Sequence, residues 1–116
     1  MIMGDTYVAV HALIKKNGKI LIMKRADDDD FQPGIWDLPG GAVEFGETAE
    51  TALQRELLEE ARIHVDDMNV VFVYTNNSQL PNRQTFQIVY SCKLSDDSTV
   101  NLNYEHSEYR WISYAD

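Results

Sequence analysis

The most informative segment of this chain is residues 40–63, GGAVEFGETAETALQRELLEEARI. Residues 48–62 have the pattern of a helix, and Thr48 is the predicted N-cap. At 3.6 residues per turn, one face of this helix is apolar and can pack on a sheet. That face consists of Leu53, Leu57, Leu58 and Ala61. Glu56, Glu59 and Glu60 share a separate arc of about 100°. The segment therefore predicts an amphipathic helix that carries a cluster of carboxylates.

Both flanks of this helix predict strands. Residues 5–14 and 19–25 are apolar runs joined by Asn17-Gly18, a strong hairpin signal. Residues 36–41, WDLPGG, form a short extended piece, and residues 104–112 give a last strand. Residues 69–74, NVVFVY, are typical of a buried strand, whereas residues 85–94 alternate like a half-buried one. The order of strands, one helix and more strands predicts an α/β fold with a mixed sheet and helix cover.

Length and charge restrict the function further. The chain has 116 residues, which predicts one domain spanning 1–116. Its net charge of −9 argues against a long nucleic-acid partner, because such binding relies on Lys and Arg at phosphates. The chain lacks an apolar run long enough for a membrane span, so we expect no membrane partner. Cys92 is the single cysteine, which excludes an internal disulfide and suits a cytoplasmic protein.

The crowded glutamates have two interpretations. They form a solvated acidic face without a ligand, or they bind a divalent cation that removes their mutual repulsion. Glu47 just before the helix, Arg55 beside the cluster and the glycines at 40, 41 and 46 favour the second interpretation. Hard cations such as Mg²⁺, with Mn²⁺ as a substitute, prefer carboxylate oxygens and also hold substrate phosphates.

Read from Gly41, the segment is G-x5-E-x7-R-E-U-x-E-E-x-x-U, where U is an aliphatic residue. This pattern resembles the Nudix box of the Nudix (MutT-like) hydrolases. LPGG at 38–41, Arg25 at the end of the second strand and EHSEYRW at 105–111 extend the resemblance. It implies the Nudix fold, a mixed β-sheet sandwiched by helices. Many relatives continue into a C-terminal helix, which we expect to be missing or truncated here, because this chain stops at Asp116. Arg62 stands where the family usually has Gly, and we expect this to change the turn and not the chemistry.

The resemblance implies a role for each site residue. Glu56, Glu59 and Glu60 would be metal ligands, together with the backbone carbonyl of Gly41. Arg55 would orient a glutamate of the box, and Glu47 would support the loop and helix. Arg25, Gly40 and Gly41 would contact the substrate. The general base would be a box glutamate or Glu105, with Glu108 as the weaker alternative.

The activity implied is Mg²⁺-dependent hydrolysis of a nucleoside diphosphate linked to another group. We favour a nucleoside triphosphate, normal or oxidised, cleaved to the monophosphate and pyrophosphate. The alternatives are an ADP-ribose or nucleotide-sugar pyrophosphatase and a nucleotide-binding module without turnover. Trp36 and Trp111 either border a base pocket or pack in the core, and an exposed sheet face would allow a homodimer. Arg83, His106 and Pro81 are weaker candidates for the site.

Overall fold

The computed structural model describes residues 4–28, 33–76, 82–95 and 98–113. The expectations for Pro81 and for residues 114–116 lie outside this part of the chain. The described residues form one helix and seven strands. In chain order these are β1 Asp5–Lys16, β2 Lys19–Arg25, β3 Trp36–Asp37, β4 Gly40–Ala42, α1 Ala49–Ala61, β5 Val65–Asn76, β6 Arg83–Leu94 and β7 His106–Ser113.

The strands form one mixed sheet with the order β3-β2-β1-β6-β5. Strands β1 and β6 are parallel, while the other pairs are antiparallel. The predicted hairpin between β1 and β2 is confirmed, with Asn17 at φ 51° and Gly18 at φ 75°. In their described residues β1 and β2 pair only next to this turn, at residues 15–16 and 19–20. Farther along they separate, so that β4 pairs with β1 and β3 pairs with β2.

The hydrophobic core lies between α1 and one face of the sheet. Leu53, Leu57 and Ala61 are fully buried on the helix, as predicted, against β1, β2 and β6. The prediction for Leu58 is wrong, because its side chain is 47% exposed. Leu58 lies one residue beyond Leu57, about 100° around the helix, and this turns it away from the sheet. The mixed sheet with a helix packed on it is confirmed, and α1 is the single helix in the described residues.

The ends of α1 match the sequence prediction within one residue. The Thr48 hydroxyl oxygen accepts a hydrogen bond from the Thr51 amide at 3.1 Å, which caps the N-terminus. At the other end Arg62 has φ 53° and ψ 39°, the left-handed conformation that glycine adopts most easily. The expected change of turn is therefore absent. Arg62 keeps the turn at a cost of about 1 kcal/mol relative to glycine.

Strand β5 is the largest departure from the sequence analysis. The run at 69–74 was predicted to be buried, yet Val70, Phe72 and Tyr74 are 55%, 57% and 44% exposed. The reason is topological, because β5 is the last strand of the sheet and pairs in the described chain with β6 alone. Its neighbour Phe86 is also 38% exposed. Whether this apolar strand pairs with a second copy of the chain stays a prediction.

No helix formed by the described residues is long and apolar enough to span a membrane.

Candidate active site

Two carboxylates of α1 lie against the glycine pair of β4. The Gly40 amide donates a hydrogen bond to Oε1 of Glu60 at 3.1 Å. A Cβ atom added to Gly41 would lie 2.5 Å from Cδ of Glu56, so this position has no room for a side chain. A Cβ atom on Gly40 would lie 2.0 Å from the Val10 carbonyl oxygen. Both glycines are therefore required for the close approach of β4 to the helix and to β1.

Arg55 connects the carboxylates of the loop and the helix. Its Nε and Nη2 atoms donate to the two carboxylate oxygens of Glu47, at 2.7 and 2.9 Å. Its Nη1 atom donates to Oε1 of Glu56 at 3.0 Å and to Oε2 of Glu59 at 3.3 Å. Nη2 also donates to the Ala42 carbonyl at 3.1 Å, which ties the guanidinium to β4. The bidentate pairing with Glu47 fixes the plane of the guanidinium.

The electrostatic environment differs strongly among these glutamates. Hydrogen bonds from Arg55 and from the Glu44 amide lower the pKa of Glu47 to about 2. Burial raises the pKa of Glu56. Glu60 is only 4% exposed. Its burial, and to a smaller extent the charge of Glu56, raise the pKa of Glu60 to about 8. Glu56 and Glu60 thus form a desolvated carboxyl pair that resists carrying two negative charges, and a bound cation would stabilise the ionised form.

The structure brings Glu105 to this pair from the loop before β7. The Asn103 amide donates to the Glu60 carbonyl at 3.0 Å, which attaches the loop to the helix. The Asn103 side chain donates to Oε1 of Glu105 at 3.1 Å and accepts from the Glu105 amide at 2.9 Å. The charge of Glu105, after burial and Glu56, contributes to the raised pKa of Glu60. Asn103 was missed by the sequence analysis, although an Asn two residues before a Glu is a signal for such a turn.

Arg25 and Glu108 have different positions relative to the carboxylates. Arg25 ends β2, and its positive charge opposes the increase in the Glu60 pKa that burial and Glu56 cause. Glu108 is on β7, with Oε2 3.7 Å from Nζ of Lys24 and Oε1 3.8 Å from Nη2 of Arg110. These surface contacts leave Glu105 as the better-placed carboxylate outside the helix.

The aromatic and basic residues that were weaker candidates for the site have other contacts. Trp111 packs against the core, which agrees with the packing alternative. The Trp36 ring lies 4.7 Å from the Arg110 guanidinium, and Arg83 stacks 4.1 Å from the Tyr7 ring. His106 starts β7 and pairs in the sheet with Arg25. None of these contacts reaches Glu56 or Glu60.

The donor set suits a hard divalent cation. Among the described residues no three Asp, Glu, His or Cys side chains are already grouped as metal ligands, and Glu56 and Glu59 are both hydrogen-bonded to Arg55. Glu59 is 54% exposed and has room to turn. Glu56 and Glu60 supply carboxylate oxygens in a partly desolvated place beside the backbone of Gly41. Oxygen donors of this kind are the ones that Mg²⁺ and Mn²⁺ prefer.

A family model described as the NUDIX domain matches residues 5–116. The chain belongs to the NUDIX domain family. Over 115 residues it is 31% identical to the nucleoside triphosphatase NudI of Escherichia coli, covering 90% of this chain and 79% of that protein. It is 39% identical to the ADP-ribose pyrophosphatase of Methanocaldococcus jannaschii over 83 residues, covering 72% of this chain.

The solved structures agree with this NUDIX assignment. A MutT NUDIX hydrolase from Burkholderia pseudomallei superposes with a TM-score of 0.81 and 27% identity, over 97% of this chain and 86% of the other. The chain spans about half the length of two of the curated relatives it matches, at 48% of each.

Proposed function

We propose that this NUDIX domain hydrolyses a nucleoside triphosphate to the monophosphate and pyrophosphate in a Mg²⁺-dependent reaction. The observation that supports this most directly is the packing of Glu56 and Glu60 against the Gly40-Gly41 turn. A triphosphate is strongly anionic, so an acidic site of this kind binds it only with cations between the two. Glu56, Glu59, Glu60 and the Gly41 carbonyl would hold the metal.

Bound Mg²⁺ would polarise phosphoryl oxygens and lower the pKa of a bound water. The protein residues then have separable tasks. Arg55 holds Glu56 and Glu59 in place, and its bidentate contact with Glu47 keeps the guanidinium from rotating. Arg25 adds a positive charge near Glu60 for a substrate phosphate.

Glu105 is the proposed general base. Its carboxylate accepts the proton of the attacking water while the water oxygen bonds to phosphorus. The bridging P–O bond breaks, and pyrophosphate leaves with the bonding electrons. The two hydrogen bonds between Glu105 and Asn103 orient this carboxylate. A box glutamate as the base is the alternative, and Glu105→Gln distinguishes the two.

The substrate class is supported by similarity over most of the chain. The relative with the longer coverage is a nucleoside triphosphatase, matched over 90% of this chain. The relative with the higher identity is an ADP-ribose pyrophosphatase, matched over 72%. ADP-ribose is therefore the second candidate substrate, and nucleotide sugars belong to the same test.

The deciding experiment measures phosphate and pyrophosphate release from normal and oxidised nucleoside triphosphates, ADP-ribose and nucleotide sugars. Each assay is run with Mg²⁺, with Mn²⁺ and with EDTA. We expect pyrophosphate release from a triphosphate that EDTA abolishes. Turnover of ADP-ribose alone would replace the substrate assignment. Nucleotide binding with no turnover in any assay would instead support the binding module.

A further inference from the structure

The loop between β4 and α1 carries one carboxylate that the proposed mechanism does not use. Oε1 of Glu44 lies 3.9 Å from Nη2 of Arg55, and the Glu44 side chain is 70% exposed. At this distance the two groups form an ion pair but no hydrogen bond. An exposed ion pair of this kind adds little to the stability of a fold.

The backbone at Glu44 is held in place although the side chain is exposed. The Glu44 amide donates to Oε1 of Glu47 at 2.9 Å, and the Glu47 amide donates to the Glu44 carbonyl at 3.0 Å. Both carboxylate oxygens of Glu47 are in turn bonded to Arg55. The loop therefore keeps Glu44 next to the guanidinium, and the Glu44 carboxylate can change rotamer while the loop stays fixed.

The guanidinium of Arg55 uses all five of its N–H donors. Nε donates to Glu47, and Nη2 donates to Glu47 and to the Ala42 carbonyl. Nη1 donates to Glu56 at 3.0 Å and to Glu59 at 3.3 Å. An additional carboxylate can form a hydrogen bond with this group only if one of these acceptors leaves.

Glu59 is the acceptor that has to move for the proposed metal binding. Among the described residues no three acidic, His or Cys side chains are already grouped as metal ligands. Glu59 is 54% exposed, whereas Glu56 is 15% exposed and lies closer to Arg55. A rotation of Glu59 toward Glu60 and the Gly41 carbonyl would remove one acceptor from Nη1.

We infer that Glu44 is a positioning residue, which replaces Glu59 as a partner of Arg55 when Glu59 turns to the metal. This inference rests on the metal binding in the proposed function and not on the substrate assignment. The replacement restores a charge-assisted hydrogen bond, so it lowers the free-energy cost of moving Glu59. The contacts of Arg55 with Glu47 and Glu56 then still fix the plane of the guanidinium.

The test measures the Kd of Mg²⁺ by isothermal titration calorimetry without nucleotide. In Glu44→Gln we expect Kd to rise about fivefold, because the replacement partner loses its charge. Glu50→Gln is the matched control, since it removes one exposed negative charge in the first turn of α1 and should change Kd by less than about twofold. Without divalent cations both variants should keep the thermal stability of the unsubstituted protein.

A second pair of variants separates this replacement from simple attraction of the cation by the Glu44 charge. In Glu59→Gln the side chain at position 59 is no longer a carboxylate ligand that has to leave Arg55. Adding Glu44→Gln to this variant should therefore leave Kd unchanged. A fivefold rise in both backgrounds would show that Glu44 acts only through its charge, and this would overturn the inference. An unchanged Kd in Glu44→Gln alone would also overturn it.

The same titrations distinguish failure of this inference from failure of the proposed function. The expected Kd values in a protein that hydrolyses no nucleotide would support the role of Glu44 and reject the hydrolysis. Triphosphate turnover with a Mg²⁺ affinity independent of Glu44 would do the reverse. Absence of Mg²⁺ binding by the unsubstituted protein would overturn both.

Discussion

Helix α1 and strand β5 are both rich in apolar residues, yet one is packed and the other is not. On α1, Leu53 and Leu57 are fully buried against the sheet. On β5, the five residues 70–74 are each between 44% and 57% exposed. The helix lies over the middle of the sheet, whereas β5 is at its edge. Apolar character thus indicated burial correctly only where the topology supplied a partner surface.

The two regions also differ in what determines the neighbours of their side chains. The polar side of α1 carries Glu56 and Glu60 beside the Gly40-Gly41 turn. On β5, strand pairing places Tyr74 opposite Gln87 of β6. A local helical pattern specifies the first group, whereas strand pairing specifies the second.

Glu60→Gln should lower turnover about 100- to 1,000-fold in Mg²⁺ while the protein stays folded. The pKa of Glu60 is raised to about 8 by burial and Glu56, so the neutral amide resembles the group already present without metal. Steady-state kinetics and circular dichroism check both parts. Glu50→Gln, at an exposed site in the first turn of α1, is the control and should stay within about twofold. Similar losses in both variants would contradict the assignment.

Leu57→Ala should reduce the free energy of unfolding by about 2–5 kcal/mol, because it leaves a cavity between α1 and the sheet. Val73→Ala should reduce it by less than about 1 kcal/mol, because Val73 is 57% exposed. Urea denaturation of both variants measures the contrast directly. A large loss for Val73→Ala would show that β5 is covered in solution, and its dependence on protein concentration would identify a second copy.

Gly41→Ala should lower turnover about 10- to 100-fold by displacing the Glu56 carboxylate, which a Cβ atom would approach to 2.5 Å from Cδ. The control is Gly18→Ala in the β1–β2 turn. Gly18 has φ 75° and open space around it, so this change strains the backbone without touching the site. We expect Gly18→Ala to lower stability and leave kcat unchanged. Loss of stability without loss of turnover in Gly41→Ala would argue against the role of Glu56.

Cys92 lies on the buried side of β6 and provides a pH test. Burial raises its pKa from 9.0 to about 12, so the folded protein keeps the thiol proton that the unfolded chain loses. This contribution to stability is complete below pH 9 and is lost as the pH rises toward 12. The difference in unfolding free energy between the unsubstituted protein and Cys92→Ala should shrink by about 1.4 kcal/mol per pH unit above pH 9. A constant difference would show that Cys92 titrates normally.

The sequence was informative wherever the deciding interactions are local. The hairpin at Asn17-Gly18 and the helix from Ala49 to Ala61 follow from turn and capping preferences within a few residues. The spacing of Arg55 from Glu59 made their contact predictable, because residues four apart on a helix are neighbours. The exception at this level is Leu58, which the helical pattern assigns to the apolar face although its side chain is 47% exposed.

The sequence was sufficient to place Arg55 beside Glu56, Glu59 and Glu60 on one helix after a glycine turn, because helical geometry fixes these spacings. The burial of Glu60 and the 54% exposure of Glu59 became visible only in the folded chain, since they depend on what packs beside each side chain. The same is true of the Asn103 contact of Glu105 and of the exposure of β5. Those features arise from strand order and register, which pair residues far apart in the chain.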